Sequence, residues 1–345
     1  MQKPTVASLV WDMPSEIHQL QGDVVEKLGF PHYFFLYNEP IPQEARIVLV
    51  QGPYGPLLPL IRQLRERPLR DRPILAYWFQ QSLDMQIPNW LQNYLVQLFS
   101  DAYRNYHEYG MMGALLEHCA PQFAGKRGRR LGFAGDIIWL HRHGLLDAFA
   151  VSSDLYQRYF LNRDIESLLL PRGYHPAYGS LLNLKRDIAV VWMGKTRNRR
   201  RARAVYWLRE QLQKRGQVMQ IYDGKENDFI FGEQRTRILN RAWFVLNVFP
   251  HPTWELSIRY YIAAANGAVV LTEPGKNKYA FVPGKHLVEC PIEKMPDTIM
   301  YYLAHQEEWR AISHNMLSFM KMDLTLQQSI ATILTQAEQI HNRRH

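Results

Sequence analysis

Short apolar, β-branched runs alternate along the chain with longer stretches whose apolar residues recur at helical spacing, the pattern of parallel strands joined by helical crossovers. In the first half, Val6 to Trp11, Tyr33 to Tyr37, Arg46 to Gln51, Ile74 to Phe79 and Ala148 to Ser152 read as strands, with helices between them. A second series follows at Asp187 to Met193, Val218 to Tyr222, Trp243 to Val248, Ala268 to Thr272 and His286 to Cys290. From Met295 onward the pattern is helical. Its last helix, about Thr325 to Asn342, carries an apolar face of Leu326, Ile330, Ile333 and Leu334 that must pack on something, the N-terminal unit being one destination.

A chain of 345 residues exceeds what one core usually organises, so two domains are expected. The passage Pro171 to Lys185 is rich in Pro, Gly, Tyr and Ser and lacks a sustained period, which places the boundary near Ser180. The fold class that follows is α/β, with two Rossmann-like domains facing a cleft and a helical C-terminus: residues 1–180, and residues 181–345 with the terminal helices. In open parallel sheets ligands sit beyond the carboxyl ends of the strands, so the loops that follow strands are where chemistry is sought.

Composition narrows the partners. Apolar residues at 47% and aromatic residues at 12% supply two cores and argue against disorder. The net charge of +9 points to anionic partners: nucleic acid, an acidic membrane surface or phosphorylated small molecules. Basic residues are densest at Lys195 to Arg203, with a lesser cluster at Lys126 to Arg130. Two cysteines, Cys119 and Cys290, lie far apart without metal-ligand spacing, which suits a reducing compartment and gives no metal cage. The first apolar run is too short for a signal peptide, and no stretch approaches ~18 to 20 consecutive apolar residues, so a cytoplasmic protein is expected, with peripheral membrane contact as an option.

The strand ending at Met193 runs into Gly194-Lys195-Thr196, and a basic helix start with Arg199 follows. A glycine there lets the backbone turn sharply, and free amides at a helix start, reinforced by Lys and Arg, form a seat for diphosphate. A solvated basic helix is the plain alternative. In Asn247-Val-Phe-Pro-His-Pro-Thr-Trp-Glu255, Thr253 can cap the next helix and Asn266-Gly267 can end it. Glu255 then falls in the first turn, where the helix dipole alone would favour it; the functional reading has Glu255 and Arg259 holding ribose hydroxyls and phosphate.

The run Arg259-Tyr-Tyr-Ile-Ala-Ala-Ala-Asn-Gly-Ala-Val-Val-Leu-Thr-Glu273, then Phe281-Val-Pro-Gly284-Lys-His-Leu-Val, then a helix ending Tyr301-Tyr-Leu, resembles the C-terminal portion of glycosyltransferases with the two-Rossmann (GT-B) fold, of the bacterial glycosyl transferases group 1 type. The resemblance covers about Asp187 to Met320. It implies transfer of a sugar from a nucleotide-diphosphate donor to an unidentified hydroxyl acceptor, with no cofactor beyond the donor and no nucleic-acid partner. One position departs from the family, because Ile262 stands where a carboxylate usually contacts the donor ribose. Glu255 either substitutes for it, or donor binding is altered, or catalysis is lost; a catalytically impaired scaffold and a noncatalytic nucleic-acid or phosphate-binding protein are therefore the competing readings.

Further donor-side candidates are Asp223 in Tyr222-Asp-Gly224, Arg235 with its neighbour Arg237, and Glu273 at a strand end, although an Asp-Gly turn and a charged surface helix need no such role. On the acceptor side, Gly52 and Tyr54 lie in the loop Gln51-Gly-Pro-Tyr-Gly55, which is also ordinary turn chemistry. Asp12 and Asp136 are candidate catalytic carboxylates beside Glu255, with His107, His118 and His175 as further titratable groups. Asp136 equally suits the cap of a helix over Ile137 to His143.

Overall fold

The computed structural model describes residues 3–52, 54–80, 83, 89–108, 126–249, 258–275 and 279–344. They divide into two compact units, one of residues 1–171 with 327–345 and one of residues 172–326.

The first unit runs β1 (Val6–Val10), α1 (Glu16–Lys27), β2 (His32–Leu36), β3 (Ile47–Gly52), α2 (Leu58–Glu66), β4 (Ile74–Phe79), α3 (Asn89–Phe99), α4 (Asp101–Asn105), α5 (Lys126–Arg142), β5 (Ala148–Val151), α6 (Asp154–Leu161) and β6 (Leu168–Leu169). Its six strands pair in parallel in the order β2-β1-β3-β4-β5-β6. Burial explains their composition: every residue of β3 and β4 is buried, as both faces of a central parallel strand must be, while the edge strand β2 is largely half-exposed. The short β6 is the one strand here with no counterpart in the sequence pattern.

The second unit runs β7 (Ile188–Met193), α7 (Arg199–Gln213), β8 (Met219–Tyr222), α8 (Gly232–Arg241), β9 (Ala242–Asn247), α9 (Arg259–Ala265), β10 (Val269–Thr272), β11 (Val288–Glu289), α10 (Met295–Ala304) and α11 (Gln306–Asp323). Its five parallel strands are ordered β11-β10-β9-β7-β8. Asn266 and Gly267 end α9 as their residue types predict, with Gly267 at φ 67°.

Two features differ from expectation. The boundary falls at Pro171, ahead of Ser180, because the following passage is tied into the second unit. Asn240 accepts from the Leu182 amide at 2.6 Å and donates to the Ser180 carbonyl at 2.8 Å, and the Asn266 side chain donates to the Tyr178 carbonyl at 3.1 Å. Tyr174 likewise exchanges backbone hydrogen bonds with Leu324 and Leu326. The second difference from the expected bounds is the final helix, α12 (Leu326–Arg344), whose residues from 327 onward belong to the first unit, the destination its apolar face allows. Ser329 donates to the Pro171 carbonyl at 2.7 Å, and Arg344 pairs with Asp147, a residue 7% exposed. Its apolar face of Ile330, Ile333, Leu334 and Ala337 is fully buried.

The helix α5 also begins earlier than Ile137. Gly132 and Gly135 lie against the Phe99 and Val96 carbonyls of α3, where any Cβ would collide with backbone. The two helices therefore touch through their main chains. No helix among the described residues is long and apolar enough to cross a membrane.

Candidate functional site

In the second sheet β7 lies between β8 and β9, so the chain reverses its direction of growth between β7 and β9. At such a reversal the connections leave to opposite faces and open a crevice at the carboxyl ends of the two strands. Those ends are Met193-Gly194 and Asn247. Arg259, the first residue of α9, joins them: its Nε donates to the Met193 carbonyl at 2.5 Å and its Nη1 to Asn247 Oδ1 at 3.4 Å. Its guanidinium fills the place that a Cβ on Gly194 would take, and Gly194 has φ 133°, a conformation that only glycine adopts without strain. Asn247 is itself buried and fixed by Thr272, its partner on β10, with Asn247 Nδ2 donating to Thr272 Oγ1 at 3.1 Å.

The charge gathered here is large. The Arg259 and Arg201 guanidinium carbons stand 4.6 and 5.4 Å from the centre of the Trp192 ring, a cation–π arrangement that carries two cations on one indole. Arg201 also donates from Nε to the Val248 carbonyl at 3.0 Å. Burial pushes the Arg259 pKa down to about 9, with Arg201 adding to the effect, and pushes Arg201 to about 10, Glu273 opposing and Arg200 adding. Both stay protonated at neutral pH. The first turn of α7 holds no acidic residue, so Arg199, Arg200 and Arg201 crowd the positive end of a helix dipole, an arrangement that an anion would relieve. Asn198 caps this helix by accepting from the Arg201 amide at 3.0 Å.

The residues predicted from sequence fall into three groups. Gly194 and Arg259 meet directly, with Lys195 exposed in the next position and Arg199 exposed at the start of α7. Asp223 and Glu273 are committed to holding the loops around that seat. Asp223 accepts from the Thr196 hydroxyl, from the Tyr206 hydroxyl at 3.0 Å and from the Lys225 and Glu226 amides at 2.9 Å. Burial alone would raise its pKa, but these hydrogen bonds outweigh it and hold the carboxyl near 2. Glu273 receives Arg200 on both oxygens and the Phe249 amide at 2.7 Å. Arg235 is buried in α8, whereas Arg237 is paired with Glu233 on the surface. Glu255 and Thr253 lie outside the described residues, as does His118.

The acceptor-side candidates occupy the matching reversal of the first sheet, between β1 and β3. Gly52 ends β3 at φ 153°, and Tyr54, 49% exposed, packs edge-on against Trp11 and His18 at ring separations of 6.1 and 6.4 Å. Asp12 is exposed in the loop after β1, where it accepts from the Met13 amide at 3.2 Å. Asp136 is elsewhere. It lies inside α5, fully buried, and accepts from the Ser100 hydroxyl at 2.6 Å and the Ala102 amide at 3.0 Å, so it braces the start of α4 rather than capping a helix that begins at Ile137. Burial raises its pKa to about 7 against those hydrogen bonds. His175 belongs to the second unit, contrary to its assignment on the acceptor side, because the boundary precedes it; its Nδ1 accepts from the Ala177 amide at 3.2 Å and starts a short 3-10 turn. His107 is exposed after α4.

Sequence reading missed Arg200, Arg201, Trp192 and Asn247 as individuals. Their signals were present, since the two arginines belong to the basic cluster and the other two lie at or next to the last residue of the strands that flank the reversal.

Residues 194–335 match a family model described as glycosyl transferase-like. Over nearly its whole length the chain also superposes on solved transferase structures. HepE of Anabaena, solved in complex with UDP-glucose, aligns over 96% of this chain and 98% of its own with a TM-score of 0.55 and 9% identity. Sucrose-phosphate synthase from Thermosynechococcus elongatus aligns over 98% of both chains with a TM-score of 0.54 and 12% identity. The chain has the GT-B glycosyltransferase fold. TarM of S. aureus is similar to this GT-B chain with a TM-score of 0.55 and 11% identity over 94% of it, though over 59% of TarM itself. No curated protein is close enough in sequence to match. Within the GT-B framework, Ile262 is 7% exposed in the apolar part of α9 and offers no polar group. Among the described residues no three His, Cys, Asp or Glu side chains cluster in a way that would hold a metal ion.

Proposed function

We propose that the protein is a glycosyltransferase that moves a sugar from a nucleoside diphosphate donor to a hydroxyl acceptor. The observation that carries this reading is Arg259 seated over Gly194 at the β7/β9 reversal, with Arg201 on the same Trp192 ring. When the bond between the sugar and the diphosphate breaks, negative charge develops on the departing phosphate oxygen. Guanidinia already fixed in place stabilise that charge without reorganising, which lowers the barrier more than mobile ions in water would. Lys195 and Arg199, exposed beside this seat, add positive charge from side chains that can follow the leaving group. In this reading side chains neutralise the diphosphate and no metal is needed.

The first unit would hold the acceptor near Tyr54, whose face suits a sugar ring, with Asp12 close by on the neighbouring strand end. The donor ribose would be held without a carboxylate from position 262, leaving that task to Glu255. HepE was solved with UDP-glucose, which makes uridine nucleotides the first donors to test. Nucleic acid is not favoured as a partner, because Arg200, Arg201 and Arg209 of the basic helix are engaged by Glu273, the Val248 carbonyl and Glu226 within the unit. A cytoplasmic site of action fits the half-buried free thiol of Cys290 and the donor chemistry.

Calorimetry with UDP and GDP tests the proposal. Lys195→Ala and Arg259→Ala should each weaken binding by about tenfold or more, as loss of a charge-assisted contact implies. Unchanged affinity in both variants, with the fold intact, would overturn it.

A further inference from the structure

Away from the strand ends that hold its acceptor-side candidates, the first unit carries a recess of about 560 Å3 lined by Gln43, Arg46, Arg67, Arg70, Asp71 and His341. Its place follows from the topology. Arg46 directly precedes β3, Asp71 lies shortly before β4, and Arg67 follows the last residue of α2. The recess therefore sits at the amino-end edge of the sheet, opposite to Gly52 and Trp11. His341, from the last turn of α12, is brought in by the helix that returns to this unit.

Three guanidinia face one carboxylate here. Arg67 is anchored through Nη2 to the Ile41 carbonyl at 3.2 Å, while among the described residues the side chains of Arg46 and Arg70 make no hydrogen bond or ion pair. Asp147, which precedes β5, is paired with Arg344, whose Nη1 also reaches the Arg72 carbonyl at 3.4 Å. Cations collected in a concave surface reinforce one another's potential, because the low-dielectric walls keep the field in the recess. Guanidinium forks match the spacing of phosphate oxygens, and the volume is that of a small-molecule site rather than of a single ion. Gln43 and Asp71 provide hydrogen-bonding partners for a hydroxyl or amine next to the phosphate.

We propose that this recess is a second anion site, separate from the seat at Gly194, that binds a phosphate group carried on a soluble metabolite or on a lipid headgroup. Arg46 and Arg67 grip the phosphate from the two sides, and Arg70 closes over it.

The test uses the full chain in two arms. In the first, inorganic pyrophosphate is titrated by calorimetry at low salt. Two binding events are expected, one weakened tenfold or more by combined Arg46→Gln and Arg70→Gln and the other by Lys195→Ala. In the second, sedimentation with phosphatidylcholine vesicles containing phosphatidylglycerol is compared for the same proteins. A loss confined to the pyrophosphate arm assigns a soluble phosphate, and a loss confined to the vesicle arm assigns a headgroup. If the double variant matches the wild type in both arms, the proposal is overturned. Circular dichroism checks folding, and Arg70→Gln alone, an exposed position, should weaken binding several-fold if the double variant does not fold. The Lys195 event bears only on the donor reading, so the two ideas fail separately.

Discussion

Arg259 takes up the space that a side chain on Gly194 would need, and the same guanidinium hydrogen-bonds the Met193 carbonyl at 2.5 Å. Any residue larger than glycine at 194 must push that guanidinium away from Asn247 and Trp192. Gly194→Ala should therefore weaken UDP binding by about tenfold while lowering stability by about 1–3 kcal/mol, the usual cost of a strained backbone position. Gly216→Ala is the control. Gly216 also has positive φ, at 70°, but its Cβ would meet nothing within 4 Å, so thermal unfolding should shift and calorimetry with UDP should not.

Arg200 grips Glu273 on both oxygens and the Phe249 carbonyl at 2.7 Å. Lysine cannot reproduce that fork, so Arg200→Lys should cost about 1–2 kcal/mol, a figure kept small because the arginine side chain is 47% exposed. Arg200→Ala should cost more, since it leaves a nearly buried carboxylate without its cation. Urea unfolding of the two variants gives the order. Equal losses would mean that the pair adds little beyond packing.

Asp136 supplies a pH signature. Its folded pKa is about 7 against an ordinary value near 4, so its contribution is fully present below about pH 4 and is lost as pH rises through 7. The loss is on the order of 4 kcal/mol. Asp136→Asn should remove this slope, because its amide oxygen can still accept from Ser100 and Ala102. Sugar transfer should survive in the variant; its abolition would restore Asp136 as a catalytic candidate.

Asp223 has the opposite sign. With its carboxyl held near 2, its contribution is present above about pH 4 and is lost as pH falls through 2. Asp223→Asn should flatten acid unfolding in that window. It should also speed hydrogen exchange of the Lys195 and Thr196 amides, because Thr196 loses its charged acceptor. Unaltered exchange would show that the loop is held by other contacts.

The strands were readable because central parallel strands are apolar on both faces and leave long uninterrupted runs, as in Ile74–Phe79. β6 is too short to leave such a run. The start of α5 lies ahead of Ile137 because Gly132 and Gly135, which weaken an isolated helix, here permit main-chain contact between α3 and α5. At the site, Gly194 and Arg259 were legible from turn and charge chemistry. Arg200 and Arg201 were not separable from the neighbouring arginines, because which of them turns inward depends on β9 and β10, far away in sequence. Asp136 looked catalytic for the same reason that it is structural: a lone carboxylate among apolar residues must find donors, and Ser100 was not visible as its partner.

The return of α12 to the first unit sets an order of events during synthesis. Residues 172–326 leave the ribosome as one contiguous stretch holding a whole five-stranded sheet and its helices. The earlier-made half lacks Ile330, Ile333 and Leu334, which are fully buried in it, until the residues beyond 326 appear. The part translated first is thus the part finished last, and its uncovered apolar surface is where chaperones would act on the nascent chain.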